Sequence, residues 1–554
     1  MFLDIRQQLQ ELIQKSLPQL ITVPSVLIDI PADKAHGELT CNIALQLSRE
    51  LKKSPMIIAG EVVKKLQENL VNHPHKNFFL KIEVKQPGFI NFYISSKGFH
   101  AILETVLDKK NAYGKSNYGE QIPFCLEFVS ANPTGPLTVA HGRQAAVGDS
   151  LVNILNNVGY EAKKEYYVND EGNQINILGR SIFFRAREIL GEKLEFPEDG
   201  YHGEYIRTVS GEFIKKHGIK TLADLNKIDS QEFRQFGVDY LMNVISKDLE
   251  DFNVHFDRWS FQSKIATNTA IEGVLKEFQN KGYIYEHEGA LWFKSTQWGD
   301  DKDRVVKKSN GDYTYLAPDI VYHKDKFNRG FRRIVNILGP DHHGYVSRIK
   351  AAAAALGYTV NDLDVVIVQL ASIFRDGKPV SMSTRRGEFI TLREVIDEVG
   401  KDAGRFFFLM RQTNAHLDFD LELAKKTSSE NPVYYIQYAH ARIYSIIRKA
   451  SNELKLTPKL KGFALLKEEA EIDLMRKIAI YPETLIICAK QLDPFALVRY
   501  LQDLAGCFHK FYDSHRVLDD NKELSQERIS LIEAARIILG DGLVLLGLTA
   551  PEKM

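Results

Sequence analysis

The stretch Glu127 to Ser150, EFVSANPTGPLTVAHGRQAAVGDS, constrains the fold most, because it prescribes a strand, a tight turn and a helix in direct succession. Ile122, Phe124, Leu126 and Phe128 alternate with Pro123, Cys125, Glu127 and Val129, the period of two of a strand, which sets Glu127 opposite the Phe124/Phe128 face. Pro133, Gly135 and Pro136 then forbid both ladder pairing and helix. The chain must turn, and a helix opens near His141 and runs through AAVGDSLVNILNNVG, with Gly159 as its stop. Such a junction offers unpaired N–H groups and a positive dipole end to a phosphate. Pro/Gly turns before helices are common, so spacing alone equally allows one more βα turn of an α/β protein.

Around this segment the chain divides into modules. Residues 1–112 read as a small α/β unit of three helical patterns followed by the strand-like FFLKIEVKQ and GFINFYIS, with KKNAYGKSNYGEQ as a linker. After the focal helix come a strand, EAKKEYYVN, and a long, mostly helical stretch. The buried-strand pattern RIVNILG, the helix YVSRIKAAAAALG and the strand DVVIVQL then follow. The reading is a parallel, Rossmann-type catalytic domain over 113–400 with a helical insertion at about 175–300. A connecting stem at 401–430 and an all-α bundle of about five helices at 431–554 complete a multidomain α/β chain. The stretch FRDGKPVSMSTRRGEFITL, residues 374–392, is poor in packing residues and reads as a loop.

Charge and cysteines exclude more than they indicate. Lys plus Arg and Asp plus Glu both number 72, which argues against a diffuse, sequence-indifferent grip on nucleic acid but allows a local basic surface. Cys41, Cys125, Cys488 and Cys507 are scattered without CxxC pairing, so neither a zinc site nor a disulfide framework is indicated. The N-terminal segment carries Phe2, Ile5, Leu9, Leu12 and Ile13 at helical spacing, an amphipathic helix rather than a signal peptide. No apolar run approaches the roughly 18 residues of a membrane span, and the expected location is the cytoplasm. With no sustained heptad, the chain is expected to be a monomer.

In a two-halved sheet the loops leaving both halves meet above one carboxyl edge. One loop brings His141 and helix N–H groups, the other Lys378, Arg385, Arg386 and the hydroxyls of Ser381, Ser383 and Thr384. Neither carries GxxxxGK[ST] or GxGxxG, which disfavours P-loop NTPases and dinucleotide dehydrogenases.

These residues closely resemble the arginyl-tRNA synthetases of bacterial type, class I aminoacyl-tRNA synthetases, along essentially the whole chain. PTGPLTVAHGR resembles the HIGH region, with Thr138 and Ala140 where the usual motif has His and Gly. SMSTRRG resembles the KMSKS loop, NPVYYIQYAHARI the signature after the catalytic half, and DPFALVRYLQDLAGCFHKFYDSHRV the anticodon-binding helices. GELTCNIALQLSRELKKSP and QPGFINFYIS are similar to the extra N-terminal domain that approaches the tRNA elbow. The resemblance implies an arginine–tRNA ligase: the arginine carboxylate attacks the ATP α-phosphate, pyrophosphate leaves, and arginine passes to the 2′-hydroxyl of the terminal adenosine of tRNA(Arg). The implied partners are L-arginine, ATP and tRNA(Arg), with Mg2+ accompanying ATP and no dedicated protein metal site.

The resemblance also assigns residues. Pro133, Thr134, Gly135, Thr138, His141, Gly142, Ser381, Met382 and Ser383 fall at ATP, as do Gly339, Asp341 and His342 of the GPDHHGYVSR segment. Asp319 and Tyr315 fall at the guanidinium, and Glu127 and Asn132 nearer the α-amino end; Asp319 after Pro318 also reads as a plain helix cap. Ser381 and Thr384 stand where the family pattern has lysines, so Lys378, Arg385 and Arg386 are the cations left to meet pyrophosphate. For tRNA, Tyr434, Tyr438, His440, Arg442, Arg499 and His509 offer stacking and charge, and Phe89 and Asn91 contacts from the N-terminal module. The departures in the two loops motivate one alternative, a catalytically silent tRNA-binding paralogue.

Overall fold

The structure, a computed structural model describing residues 2–17, 25–31, 33–359, 361–380 and 389–554, is built on one parallel sheet. Its strands are β1 (Pro123–Glu127), β2 (Glu161–Val168), β3 (Arg258–Phe261), β4 (Arg333–Leu338) and β5 (Leu363–Ile367). They lie in the order β5-β4-β1-β2-β3, all parallel. Chain order reverses between β1 and β4, so a crevice opens beyond their carboxyl ends.

Helix α1 (Val139–Asn157) packs on this sheet. A Cβ at Gly148 would fall 2.2 Å from the Phe128 ring, so only glycine lets the helix lie so close. Phe124, Leu126 and Phe128 enter the large core, while Cys125 belongs to a second cluster with Ile334 and the alanines of the 351–355 run.

The insertion carries α2 (Asn173–Ile189), α3 (Glu204–His217) and α4 (Ser230–Asp251), which bury Leu178, Ile182, Phe213 and Phe233 in a core of their own. The stretch expected as one insertion is not continuous: β3 returns to the central sheet as an edge strand before the antiparallel strands Ile284–His287, Ala290–Phe293 and Arg304–Lys307. Four residues are too few to show a period. The expected loop at 374–392 is also corrected at its start, since Ala371–Arg375 and Lys378–Pro379 form a hairpin. Asp376 and Gly377, at φ 51° and 72°, make its turn, and an Asp-Gly pair is a strong hairpin signal.

Helix α5 (Leu316–Asn328) precedes β4, α6 (Val346–Ala355) precedes β5, and α7 (Lys401–Leu409) leads towards the C-terminal helices. Those are α8 (Pro432–Lys449), α9 (Glu469–Ala479), α10 (Tyr481–Gln491), α11 (Phe495–Ser514) and α12 (Lys522–Leu545). The buried Arg405 guanidinium on α7 ties the modules together. It donates to Asp149 of α1 at 2.6 Å, to the carbonyls of Phe252 and Asn253 at 3.0 and 3.2 Å, and to that of Leu546 at 3.0 Å. The N-terminal residues form a four-stranded antiparallel sheet, which meets the bundle where Arg476 pairs with Glu38 at 2.8 Å.

Candidate active site

Strand register sets the floor of the site. Asn336 of β4, Glu127 of β1 and Glu165 of β2 stand opposite one another across the sheet, and all three are buried. Two neighbouring buried carboxylates need cations, and α5 supplies them. Lys326, fully buried, donates to Glu127 Oε2 at 2.5 Å and to Asn336 Oδ1 at 3.2 Å; Arg329 donates to Glu165 Oε1 at 2.8 Å. Ser260 at 2.7 Å and Tyr322 at 3.0 Å also donate to Glu165. Burial opposes the charge on Lys326, but Glu127 prevails and raises its pKa.

A cavity of about 640 Å³ opens above this row. Glu127 and Asn132 line it from the first half of the sheet, Tyr315 and Asp319 from α5, and His141, Gly339, Asp341 and His342 from both halves. Burial pushes the Asp319 carboxyl up to about 7, although the Tyr345 hydroxyl donates to it. Behind Asp319, the His323 ring links the Asp319 carbonyl at 2.9 Å to the Asn336 amide at 2.8 Å. Since that carbonyl only accepts, Nδ1 carries the proton and Nε2 accepts from Asn336. Burial, helped by Lys326, lowers the His323 pKa to about 3.

His141 caps its own helix and lines the cavity with the same ring. It is the third residue of α1, and its Nδ1 accepts the Thr138 N–H at 3.1 Å, which closes a capping box at the start of the helix. Nδ1 is thereby occupied, and the proton of the neutral ring resides on Nε2, the nitrogen left for a ligand. Burial lowers its pKa to about 4, so the ring is a neutral donor at physiological pH.

Other expected residues lie elsewhere. Pro133, Thr134, Gly135, Thr138 and Gly142 do not line the cavity among the described residues. Gly142 is turned to Leu392 and Phe408, and Gly135 to Tyr205. Lys378 stands exposed on the hairpin. Ser381, Met382, Ser383, Arg385 and Arg386 lie outside the described residues.

Sequence reasoning missed Gln144, Tyr167, Gln174, Tyr345 and Gln369 on the wall, and Lys326 and His323 as its polar support. A signal existed: Tyr315, the N-cap of α5, with Asp319, His323 and Lys326 follows a spacing of four, four and three, one helical face adjoining that of Leu316, Ile320 and Phe327.

On the bundle, Tyr434 and Tyr438 stack with centroids 6.3 Å apart and planes at 11°, and Tyr438 stacks on His509 at 6.0 Å and 16°. Arg442 lies over the Tyr512 ring at 5.1 Å, and Arg499 is exposed. Two of the expected RNA contacts are buried in this structure. His440 is 3% exposed and shares a hydrogen bond with the Pro551 carbonyl at 2.7 Å. Asn91 is 2% exposed and accepts from Thr40 at 2.7 Å.

Three family models match this chain. "Arginyl tRNA synthetase N terminal domain" matches residues 4–94, "tRNA synthetases class I (R), catalytic domain" residues 102–427, and "DALR anticodon binding domain" residues 436–554. The chain is 44% identical to an arginine–tRNA ligase of Geobacter sp. strain M21 over 539 residues, covering 96% of this chain and 95% of the relative. It is 42% identical to that of Bacillus subtilis strain 168 over 563 residues, covering all of both chains. The Thermus thermophilus arginyl-tRNA synthetase structure superposes with a TM-score of 0.78 at 21% identity, over 99% of this chain and 100% of that one, and so shares the fold.

Proposed function

Since the chain belongs to the arginyl-tRNA synthetase family and is an arginine–tRNA ligase, we propose that L-arginine and ATP meet in the 640 Å³ cavity at the switch point. The observation that carries this reading is the convergence of Glu127 and Asn132 with Tyr315 and Asp319 on one wall and His141, Gly339, Asp341 and His342 on another. A guanidinium requires a planar anionic partner, which Asp319 becomes once ionised, with Tyr315 beside it. Glu127 and Asn132 accept from the α-ammonium group. His141 donates from Nε2 to ATP phosphate, and Gly339, Asp341 and His342 hold the nucleoside end.

Positioning does most of the chemical work. The arginine carboxylate attacks the α-phosphate, the bond to the β-phosphate breaks and pyrophosphate leaves; the terminal hydroxyl of tRNA then displaces AMP from the adenylate. Pro133, Thr134, Gly135, Thr138 and Gly142 shape the nucleotide loop from behind. Lys378, with Arg385 and Arg386, supplies positive charge to the leaving pyrophosphate in place of the family's lysines. Mg2+ accompanies the ATP phosphates; among the described residues no group of three or more His, Cys, Asp or Glu side chains could hold a metal.

The stacked Tyr434, Tyr438 and His509 with Arg442 and Arg499 receive unstacked tRNA bases, and the N-terminal module with Phe89 approaches the tRNA from the other end. We assign residues 1–112 to the tRNA elbow, 113–400 with their insertion to catalysis, 401–430 to the stem and 431–554 to the anticodon, in a cytoplasmic monomer. Among the described residues no helix is long and apolar enough to cross a membrane. The loop departures raise a catalytically silent relative as an alternative, and the matching arginine–tRNA ligases give it no support.

ATP–pyrophosphate exchange over a panel of amino acids, with tRNA(Arg) present, tests the reading. Exchange with arginine alone is expected, and it should fall in at least one of Lys378→Ala, Arg385→Ala and Arg386→Ala with the KM for arginine unchanged. Unaltered exchange in all three variants would refute the cation assignment.

A further inference from the structure

The loop between β1 and α1 is held in a conformation that its own sequence does not favour. Val129 and Ser130 have φ values of 66° and 40°, a region where a residue other than glycine is strained, so neighbouring groups must hold the turn in place. Its first half is held by the sheet: Tyr166 of β2 donates to the Ala131 carbonyl at 2.8 Å, and Ser130 accepts from the Tyr167 N–H at 3.1 Å. The second half is held from the insertion. The Tyr205 hydroxyl on α3 donates to the Thr134 carbonyl at 2.7 Å, and Asn132 Nδ2 donates to Gln174 Oε1 on α2 at 2.6 Å.

Tyr205 acts through more than one bond. Its ring and hydroxyl cover Gly135, where a Cβ would lie 3.2 Å from the phenol oxygen, so glycine leaves room for the tyrosine against the turn. The next residue, Ile206, is anchored in the insertion's core, so Tyr205 transmits the position of that whole subdomain to the turn. Tyr205 does not line the cavity, whereas Asn132 at one end of the held segment and His141 on the following helix both do.

We propose that Tyr205 is a positioning residue for amino-acid activation: its hydroxyl fixes the Asn132–Gly135 turn and thereby holds Asn132 in place at the arginine half of the cavity. Gln174 reinforces it from the neighbouring insertion helix. The inference rests on the arginine-site reading above. It makes the helical insertion a structural part of the activation site as well as a surface beside it.

The test compares full-length Tyr205→Phe and Tyr205→Ala with the parent in ATP–pyrophosphate exchange with tRNA(Arg) present, with Asn132→Ala and Asp319→Asn as controls on the site itself. Tyr205→Phe keeps the ring and loses one hydrogen bond, so the KM for arginine should rise about three- to tenfold while kcat stays within about twofold. Its thermal midpoint should match the parent's, and Tyr205→Ala should raise KM further. Parental KM in Tyr205→Phe, or a change confined to the thermal midpoint, would overturn the inference while leaving the site reading intact. Parental KM in Asn132→Ala and Asp319→Asn would overturn the site reading, and the inference with it.

Discussion

Lys326 Nζ donates to Glu127 Oε2 at 2.5 Å in the sheet floor, with the lysine side chain fully buried and the glutamate nearly so. Such a pair is weak evidence for stability, but breaking it is expensive because one charge is left without its partner in a low-dielectric setting. Lys326→Met should therefore lower unfolding stability by about 3–5 kcal/mol. Glu127→Gln combined with Lys326→Met should recover a large part of that loss, because neither charge then remains. Urea unfolding of the two single variants and the double variant measures the coupling.

Asp319 gives the site a pH dependence whose sign follows from its environment. Burial holds the free carboxyl at about 7, so at lower pH most of the empty enzyme carries it protonated. A guanidinium binds the ionised form, and below pH 7 arginine must therefore displace a proton. The KM for arginine should fall as pH rises towards 7 and level off above it, with a slope approaching about tenfold per pH unit well below 7. Asp319→Asn should raise KM by about 10- to 100-fold and abolish the slope. Exchange kinetics between pH 5.5 and 8.5 decide this.

The two neutral histidines act in the opposite direction on stability. His141 and His323 have folded pKa values of about 4 and about 3, against about 6.5 in the unfolded chain. The unfolded state takes up protons first as pH falls, so their contribution is complete above 6.5 and is lost as pH falls through the folded values. The thermal midpoint should drop with acidification from pH 6.5 towards 4, less steeply in His323→Gln. Because His141 is already neutral at pH 5, kcat in exchange should show no limb from its ionisation between pH 5 and 8.

The first strand, turn and helix were legible because proline, glycine and period-two alternation act locally, and the five-helix bundle because its amphipathic patterns are long. Edge strand β3 was not, since Arg258–Phe261 is too short to carry a period and is defined by pairing with Glu165–Val168. In the site, Glu127, Asn132, Tyr315 and Asp319 could be named from motif resemblance, but the residues that hold them could not. Lys326 reads as an ordinary surface lysine until β1 and β4 are paired and Glu127 lies beneath it. The burial of His440 and Asn91 was not legible for the converse reason: a polar side chain on an amphipathic element looks exposed until a partner, here the Pro551 carbonyl or Thr40, is known to cover it.

That distinction separates the effects expected on RNA. Tyr438, 40% exposed and stacked between Tyr434 and His509, presents a ring face on which a splayed base adds one more layer. Base–aromatic stacking contributes about 1–3 kcal/mol, so Tyr438→Ala should weaken tRNA(Arg) binding by about five- to hundredfold with little effect on stability. Arg499 is solvated and acts through charge, so Arg499→Ala should reduce the slope of log K against log salt by about one. His440→Ala removes a buried ring bonded to Pro551 and should lower the melting temperature instead. Asn91→Ala should likewise cost stability through Thr40, with the tRNA affinity of the folded protein unchanged. Fluorescence anisotropy with labelled tRNA(Arg) at several salt concentrations, paired with melting curves, reads both effects. An affinity loss in Asn91→Ala or His440→Ala at unchanged stability would mean that these buried groups become exposed when RNA binds.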